Sequence, residues 1–278
     1  MERLNRQKIE KKKSSELFIR TFSGFFITLI ILGGIYFGGH YWNILASLIA
    51  IVSLYEFYNI VSTRYSISPV LLLLTSVFIL LSSIVDRTLT SMLCSITILI
   101  FASIYVEIVK KQNGYNTNAI RNMGLTVAGV IYIILPWSFI IITRTRPSGE
   151  MFLYTLFFCT WACDVFAYLI GSMIGAHKLC ENVSPKKTWE GFIGGWIAST
   201  VVAALVAYTF NYSILPLVLL GALLGVAGQI GDLAESLLKR EAGVKDSGSI
   251  IPGHGGFLDR FDSILINATF VFLLIELV

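Results

Sequence analysis

Asp259 and Asp262 stand three residues apart in Leu258-Asp259-Arg260-Phe261-Asp262. On a helix that spacing puts both carboxylates on one face, with Cβ atoms roughly 5–6 Å apart. Like charges so close repel unless a cation bridges them. Hard oxygen ligands at that spacing suit Mg²⁺, which keeps several waters and shares its shell with phosphates. Acidic residues complementing a helix N-terminus are the plainer alternative, which explains one aspartate more readily than two. Upstream lies Pro252-Gly253-His254-Gly255-Gly256. Glycines there allow positive φ and let backbone N–H groups approach a ligand, and a loop entering a helix N-terminus is an anion site. His254 alone would more often be a structural histidine.

Further carboxylates point the same way. Gly221, Gly225, Gly228 and Asp232 fall at i, i+4, i+7 and i+11, a single helical stripe. Small residues let helices pack closely, so the stripe should face the bundle interior and carry Asp232 with it. Lys239, Arg240, Lys245 and Arg260 follow, basic residues of the kind that hold polyphosphate. Asp164 shares a face with Tyr168, Gly171 and Gly175. It would lie about nine residues inside its helix end, roughly 13 Å at helical rise. A carboxylate at that depth needs a partner or a water-filled cavity. Catalysis and structural organisation explain it equally well; the first predicts a polar cavity between spans six, eight and nine. Glu56 and Glu107 could be peripheral ligands, but ordinary interfacial residues are the better expectation.

A second polar run reads Ser184-Pro185-Lys186-Lys187-Thr188-Trp189-Glu190-Gly191. It predicts Ser184 as N-cap and Pro185 as first residue of span seven. Lys186 and Lys187 on that first turn oppose the helix dipole unless an anion docks there. Flanking charge that fixes membrane orientation is the bland account of the same lysines.

These groups sit in an otherwise apolar chain. Of 278 residues, 55% are hydrophobic and 14% charged, with mean hydropathy +0.77. Soluble domains carry roughly 25% charged residues, so an ordinary soluble globular domain is excluded and the bilayer is the solvent. A span needs about 20 mostly apolar residues. Nine candidates follow, at approximately 20–38, 41–60, 67–85, 88–109, 122–142, 151–173, 190–210, 213–232 and 258–278. The expected fold is therefore an all-α polytopic integral membrane protein of about nine transmembrane helices.

The basic residues orient it. Residues 1–19 form a basic tail, and with that tail cytoplasmic, eighteen Lys and Arg fall on the inner side against Arg87, Arg144 and Arg146 outside. Residues 20–150 read as a scaffold half and 151–278 as a catalytic half, with cytoplasmic loops 174–189 and 233–257. No cleavable leader is expected, because the first apolar stretch is a full span. Cys94, Cys159, Cys163 and Cys180 form no CxxC pair, so neither a disulfide framework nor a zinc site is indicated.

The run from Ser236-x-x-Lys239-Arg240 through Lys245-Asp246-x-Gly248 to His254-Gly255-Gly256-x-x-Asp259-Arg260-x-Asp262 resembles the signature of the phosphatidate cytidylyltransferase family. Ser184-Pro185-Lys186-Lys187-Thr188-x-Glu190-Gly191 and Asp164-x-x-Ala167-Tyr168 are similar to the same family. The resemblance is sharp over about residues 160–262. It implies an inner (plasma) membrane enzyme with its active site facing the cytoplasm, making CDP-diacylglycerol and pyrophosphate from CTP and phosphatidate. It also implies Mg²⁺ held around Asp232, Asp259 and Asp262, a second cation, and a homodimer. Expected partners are CTP, phosphatidate and the lipid bilayer, with no nucleic acid.

The residues are compatible with that chemistry. A phosphatidate oxygen would attack the α-phosphorus of CTP, a transfer that needs positioning and charge neutralisation more than covalent help. Asp232, Asp259, Asp262, Lys239 and Arg240 are the expected catalytic set. Asp164, Ser184, Lys186, Lys187, Thr188, Lys245, His254, Gly255, Gly256 and Arg260 are expected to bind substrate. A CTP-dependent polyprenol or phytol kinase would share nucleotide, metal and membrane. A transporter could own intramembrane Asp and Gly-broken helices, but no repeated halves are found.

Overall fold

The computed structural model describes residues 22–248, 250 and 255–277. The tail 1–19 and His254 lie outside the described residues. Nine helical rods are present among them: α1 (Phe22–Phe37), α2 (Gly39–Ser62), α3 (Pro69–Val85), α4 (Leu89–Gln112), α5 (Ala119–Thr145), α6 (Gly149–Ile174), α7 (Trp189–Thr209), α8 (Ile214–Ala242) and α9 (Leu258–Leu277). Six of the described helices are long and apolar enough to cross a membrane, namely α2, α4, α5, α6, α7 and α8. Large apolar side chains stay exposed on the bundle's outside, among them Phe25, Phe78, Phe101 and Leu205. Water would not tolerate such a belt and acyl chains would. The protein is an all-α integral membrane protein.

Three sequence expectations change in detail. The fold is not purely helical, because β1 (Lys178–Cys180) and β2 (Ser184–Thr188) form an antiparallel hairpin. Ser184 and Pro185 therefore begin a strand and do not cap a helix. The cap of α7 is Thr188, whose Oγ1 accepts from Gly191 N–H at 3.2 Å, the bond that stabilises a helix start. The last inner loop also starts later than residue 233. Leu237 and Leu238 continue the apolar helical pattern of α8, which runs to Gly243 at φ 77°, a left-handed stop suited to glycine.

The glycine stripe of α8 packs inward as expected. A side chain at Gly221 would strike Ala203 and the Ser199 carbonyl on α7, and one at Gly225 would strike Trp196 and Ser199. One at Gly228 would meet Asn267 on α9. Close approach lets Ser199 Oγ donate to Gly221 O at 2.7 Å. Backbones this near make α6 to α9 a tight four-helix group on which polar side chains can be held. In α5 the turn Val130–Ile134 widens to a π-helix just before Pro136. Proline lacks an N–H and crowds the carbonyl four residues back, which opens the turn.

Candidate active site

The ends of α6 and α8 and the starts of α7 and α9 enclose a cavity of about 580 Å³. Asp164, Tyr168, Lys186, Lys187, Gln229, Asp232, Lys239, Asp246, Asp259, Arg260 and Asp262 are among its lining. The sequence placed a polar cavity between spans six, eight and nine. The cavity found also takes a wall from α7 and β2, through Lys186, Lys187, Thr188 and Phe192. Asp164 is not packed in a dry helix interface; it faces this space with Asp232 and Asp262.

Charge pairs are arranged across the cavity. Lys187 Nζ lies 2.7 Å from Asp232 Oδ2 and donates to Gln229 O at 3.3 Å. Lys239 Nζ lies 2.6 Å from Asp259 Oδ1 and 3.0 Å from Glu235 Oε2. Glu235 is buried, and its Oε1 lacks a hydrogen-bond partner.

Asp232, Asp259 and Asp262 were expected to share one coordination sphere, and the arrangement departs from that. Among the described residues no three His, Cys, Asp or Glu side chains group as an ion site. Asp259 accounts for the difference: Oδ1 is taken by Lys239, and Oδ2 accepts N–H bonds from Ser247 at 2.9 Å and Gly256 at 3.0 Å. Asp259 thus ties down the loop before α9. Asp232 and Asp262 both line the cavity, a pair whose hard oxygens fit Mg²⁺, which takes one or two carboxylates plus phosphate and water.

The Gly-rich turn also differs in use. Gly255 sits at φ 85°, where a Cβ would press on Asp259 Oδ2, so glycine is required there. Yet the Gly256 N–H is spent on Asp259 rather than offered to a ligand.

Other expected residues stand apart from the cavity. Arg240 does not line it; its guanidinium reaches Val183 O at 3.4 Å and Val244 O at 3.5 Å, bracing the hairpin. Ser184 and Lys245 are likewise not among the lining. Thr188 is the cap of α7 and meets the cavity through that position.

Five polar residues were missed or undervalued. Glu235 carried a signal, lying three residues after Asp232 and four before Lys239 on one helix. Asp246 stood in the family pattern without a role and Ser247 gave no signal, because loop positions reveal their partners only in three dimensions. Glu56 and Glu107 are buried and hold specific partners. Glu107 pairs with Lys110 at 2.7 Å and accepts from Asn122 Nδ2 at 3.1 Å. Glu56 accepts from Ser247 Oγ and from the Phe257 and Leu258 N–H groups.

A sequence model described as "Cytidylyltransferase family" matches residues 18–278. A phosphatidate cytidylyltransferase of Staphylococcus haemolyticus (strain JCSC1435) is 34% identical over 251 residues, covering 89% of this chain and 94% of its relative. The protein of that name from Staphylococcus aureus (strain COL) is 32% identical over 254 residues, with the same coverage. One from Rickettsia bellii (strain RML369-C) is 39% identical over 153 residues, 52% of this chain and 66% of the relative.

Proposed function

From a chain that belongs to the cytidylyltransferase family, we propose a phosphatidate cytidylyltransferase, which moves CMP from CTP to phosphatidate and gives CDP-diacylglycerol and pyrophosphate. The observation that carries the site assignment is the cavity in which Asp164, Asp232 and Asp262 face Lys186, Lys187, Lys239 and Arg260. Such a chamber of mixed charge suits two polyanions and a hard cation, and its place at the helix ends suits a lipid headgroup.

In this scheme a phosphate oxygen of phosphatidate attacks the α-phosphorus of CTP. The bond from that phosphorus to the α,β-bridging oxygen breaks, and its electron pair leaves with pyrophosphate. A phosphate monoester, with a second pKa of about 6, is already a competent nucleophile near neutral pH, so no dedicated base is assigned. Lys186, Lys187 and Arg260 orient the phosphates and offset the equatorial charge. Lys239 moves from Asp259 to a phosphate, exchanging one anionic partner for another. Asp164 balances charge at the closed end of the cavity.

Mg²⁺ would be held by Asp232 and Asp262, and Asp259 Oδ1 would be a further ligand if Lys239 turned to a phosphate. Bound there, the ion supplies Lewis-acid neutralisation of phosphate charge. A second cation, implied by the family resemblance, would be read by metal analysis of the active protein.

The nine rods are taken as nine crossings of the inner (plasma) membrane, with the N-terminus and the cavity mouth cytoplasmic. Eighteen inner against three outer basic residues support that orientation. The homodimer implied by the resemblance would be read from the mass of the detergent particle.

The test uses purified protein, phosphatidate and CTP labelled separately in cytosine and in the γ-phosphate. Lipid-bound cytidine with free pyrophosphate is the expected product. Lipid-bound γ-phosphate without cytidine would mean a kinase instead. Dependence on a transmembrane gradient would mean a transporter.

A further inference from the structure

On the far side of Lys239 lies a second cavity, about 430 Å³, between the ends of α2 and α8 and the starts of α5 and α9. Its floor is apolar, built from Phe57, Ile60, Val61, Leu125, Leu238 and Leu258. Arg64 and Arg121 line it as well, both exposed, together with Lys239 and the carboxylates of Glu235 and Glu241. Among the described residues neither guanidinium has a salt bridge or a side-chain hydrogen bond to another side chain. Lys239 lines both cavities, so its side chain stands between them.

We propose that this groove is the acyl-chain site of the phosphatidate substrate, with Arg64 and Arg121 receiving its phosphate on the way to Lys239. The inference rests on the cytidylyltransferase activity above and adds where the lipid sits. Three features select an anionic lipid. The volume lies in the range of small-molecule sites, about 300–1,000 Å³. The lining is apolar where chains would lie. Two guanidiniums, which match phosphate geometry with paired donors, stand where a headgroup would lie. The N-terminal tail is a poor occupant, because Arg3, Arg6, Lys8, Lys11, Lys12 and Lys13 would bring like charge to the arginines. Passage past Lys239 would then deliver the phosphate to the polar cavity while the chains remain behind.

Two kinds of measurement test the groove. In phosphatidylcholine vesicles, phosphatidate carrying a diazirine on its acyl chain should label residues 57–61, 120–125 and 238–242 on irradiation, and excess plain phosphatidate should suppress that label. Labelling elsewhere, or equal labelling by diazirine phosphatidylcholine, would overturn the proposal. So would labelling that appears only after residues 2–16 are removed, since the tail would then be the occupant.

The kinetic arm uses Gly124→Leu and the pair Arg64→Gln/Arg121→Gln. No atom lies within 4 Å of a Cβ placed at Gly124, so leucine there fills the groove without displacing its walls. Each variant should raise the phosphatidate KM about tenfold or more, as loss of charge-assisted bonds or of chain space predicts, with the CTP KM unchanged. An unchanged phosphatidate KM in both, or a parallel rise in the CTP KM, would refute the site. Photolabelling needs no CTP, so it reports on the groove independently. If the parent protein makes no CDP-diacylglycerol, the activity assignment fails; if it does and the variants behave like it, only the groove fails.

Discussion

Glu56, near the end of α2, caps the helix that begins at Leu258: its Oε2 accepts the Leu258 N–H at 2.8 Å. Oε1 accepts the Phe257 N–H at 3.0 Å, and Oε2 also receives Ser247 Oγ at 3.1 Å. A buried carboxylate at a helix N-terminus answers the unpaired amides and the positive end of the dipole together. Because Ser247 N–H also holds Asp259, this side chain on α2 ties down both the start of α9 and the loop before it.

Glu56→Ala should therefore lower the thermal midpoint in detergent and cut turnover. Each donor left unsatisfied costs about 1–3 kcal/mol. Glu56→Gln, which keeps one acceptor oxygen, should fall between parent and Ala variant. A midpoint equal to the parent's in Glu56→Ala would show that the cap holds nothing.

Asp259 and Asp262 should separate in their metal response. Asp262→Asn is expected to abolish turnover and raise the Mg²⁺ concentration needed for any residual activity. Asp259→Asn should weaken the ties to Lys239, Ser247 and Gly256, so its loss of activity should come with a lowered thermal midpoint. Identical midpoints and identical Mg²⁺ profiles in the two variants would contradict the division of labour.

Asp164→Asn keeps shape and hydrogen-bonding capacity but removes a charge from the cavity. Activity should drop by well over tenfold, which is about 1.4 kcal/mol or more in the barrier, with altered Mg²⁺ dependence. A loss of tenfold or less with an unchanged Mg²⁺ profile would make Asp164 a packing residue.

Lys186→Ala and Lys187→Ala should each raise the KM for CTP or phosphatidate or lower kcat. Lys187→Ala also leaves Asp232 without its 2.7 Å partner, so its defect should be the larger. Normal kinetics in a correctly inserted double variant would reduce both lysines to orientation signals.

Local properties of the chain settled a good deal. Runs of apolar residues placed the nine described helices within a few residues except at the end of α8, which runs to Ala242 where residue 232 was expected, because a segment's length and hydropathy are its own. The stripe Gly221, Gly225, Gly228 turned Asp232 inward for the same reason, since helical periodicity is fixed by the backbone. The loss of Asp164 to a cavity was legible too: a charge that deep has few other places to go.

What the tertiary structure alone decided concerns partners distant in sequence. Ser184 to Thr188 pairs as a strand because β1 lies beside it, which the Ser-Pro start concealed. Glu56 and Leu258 meet across 202 residues, and no spacing rule reaches that far. Asp259 carries the same lesson more sharply. Its i, i+3 relation to Asp262 is a property of one helix, but whether its oxygens are free depends on Lys239 and on two loop amides. Sequence fixes which groups are available, while their protonation, pairing and access are set by whichever charges and donors the other helices bring within about 3 Å.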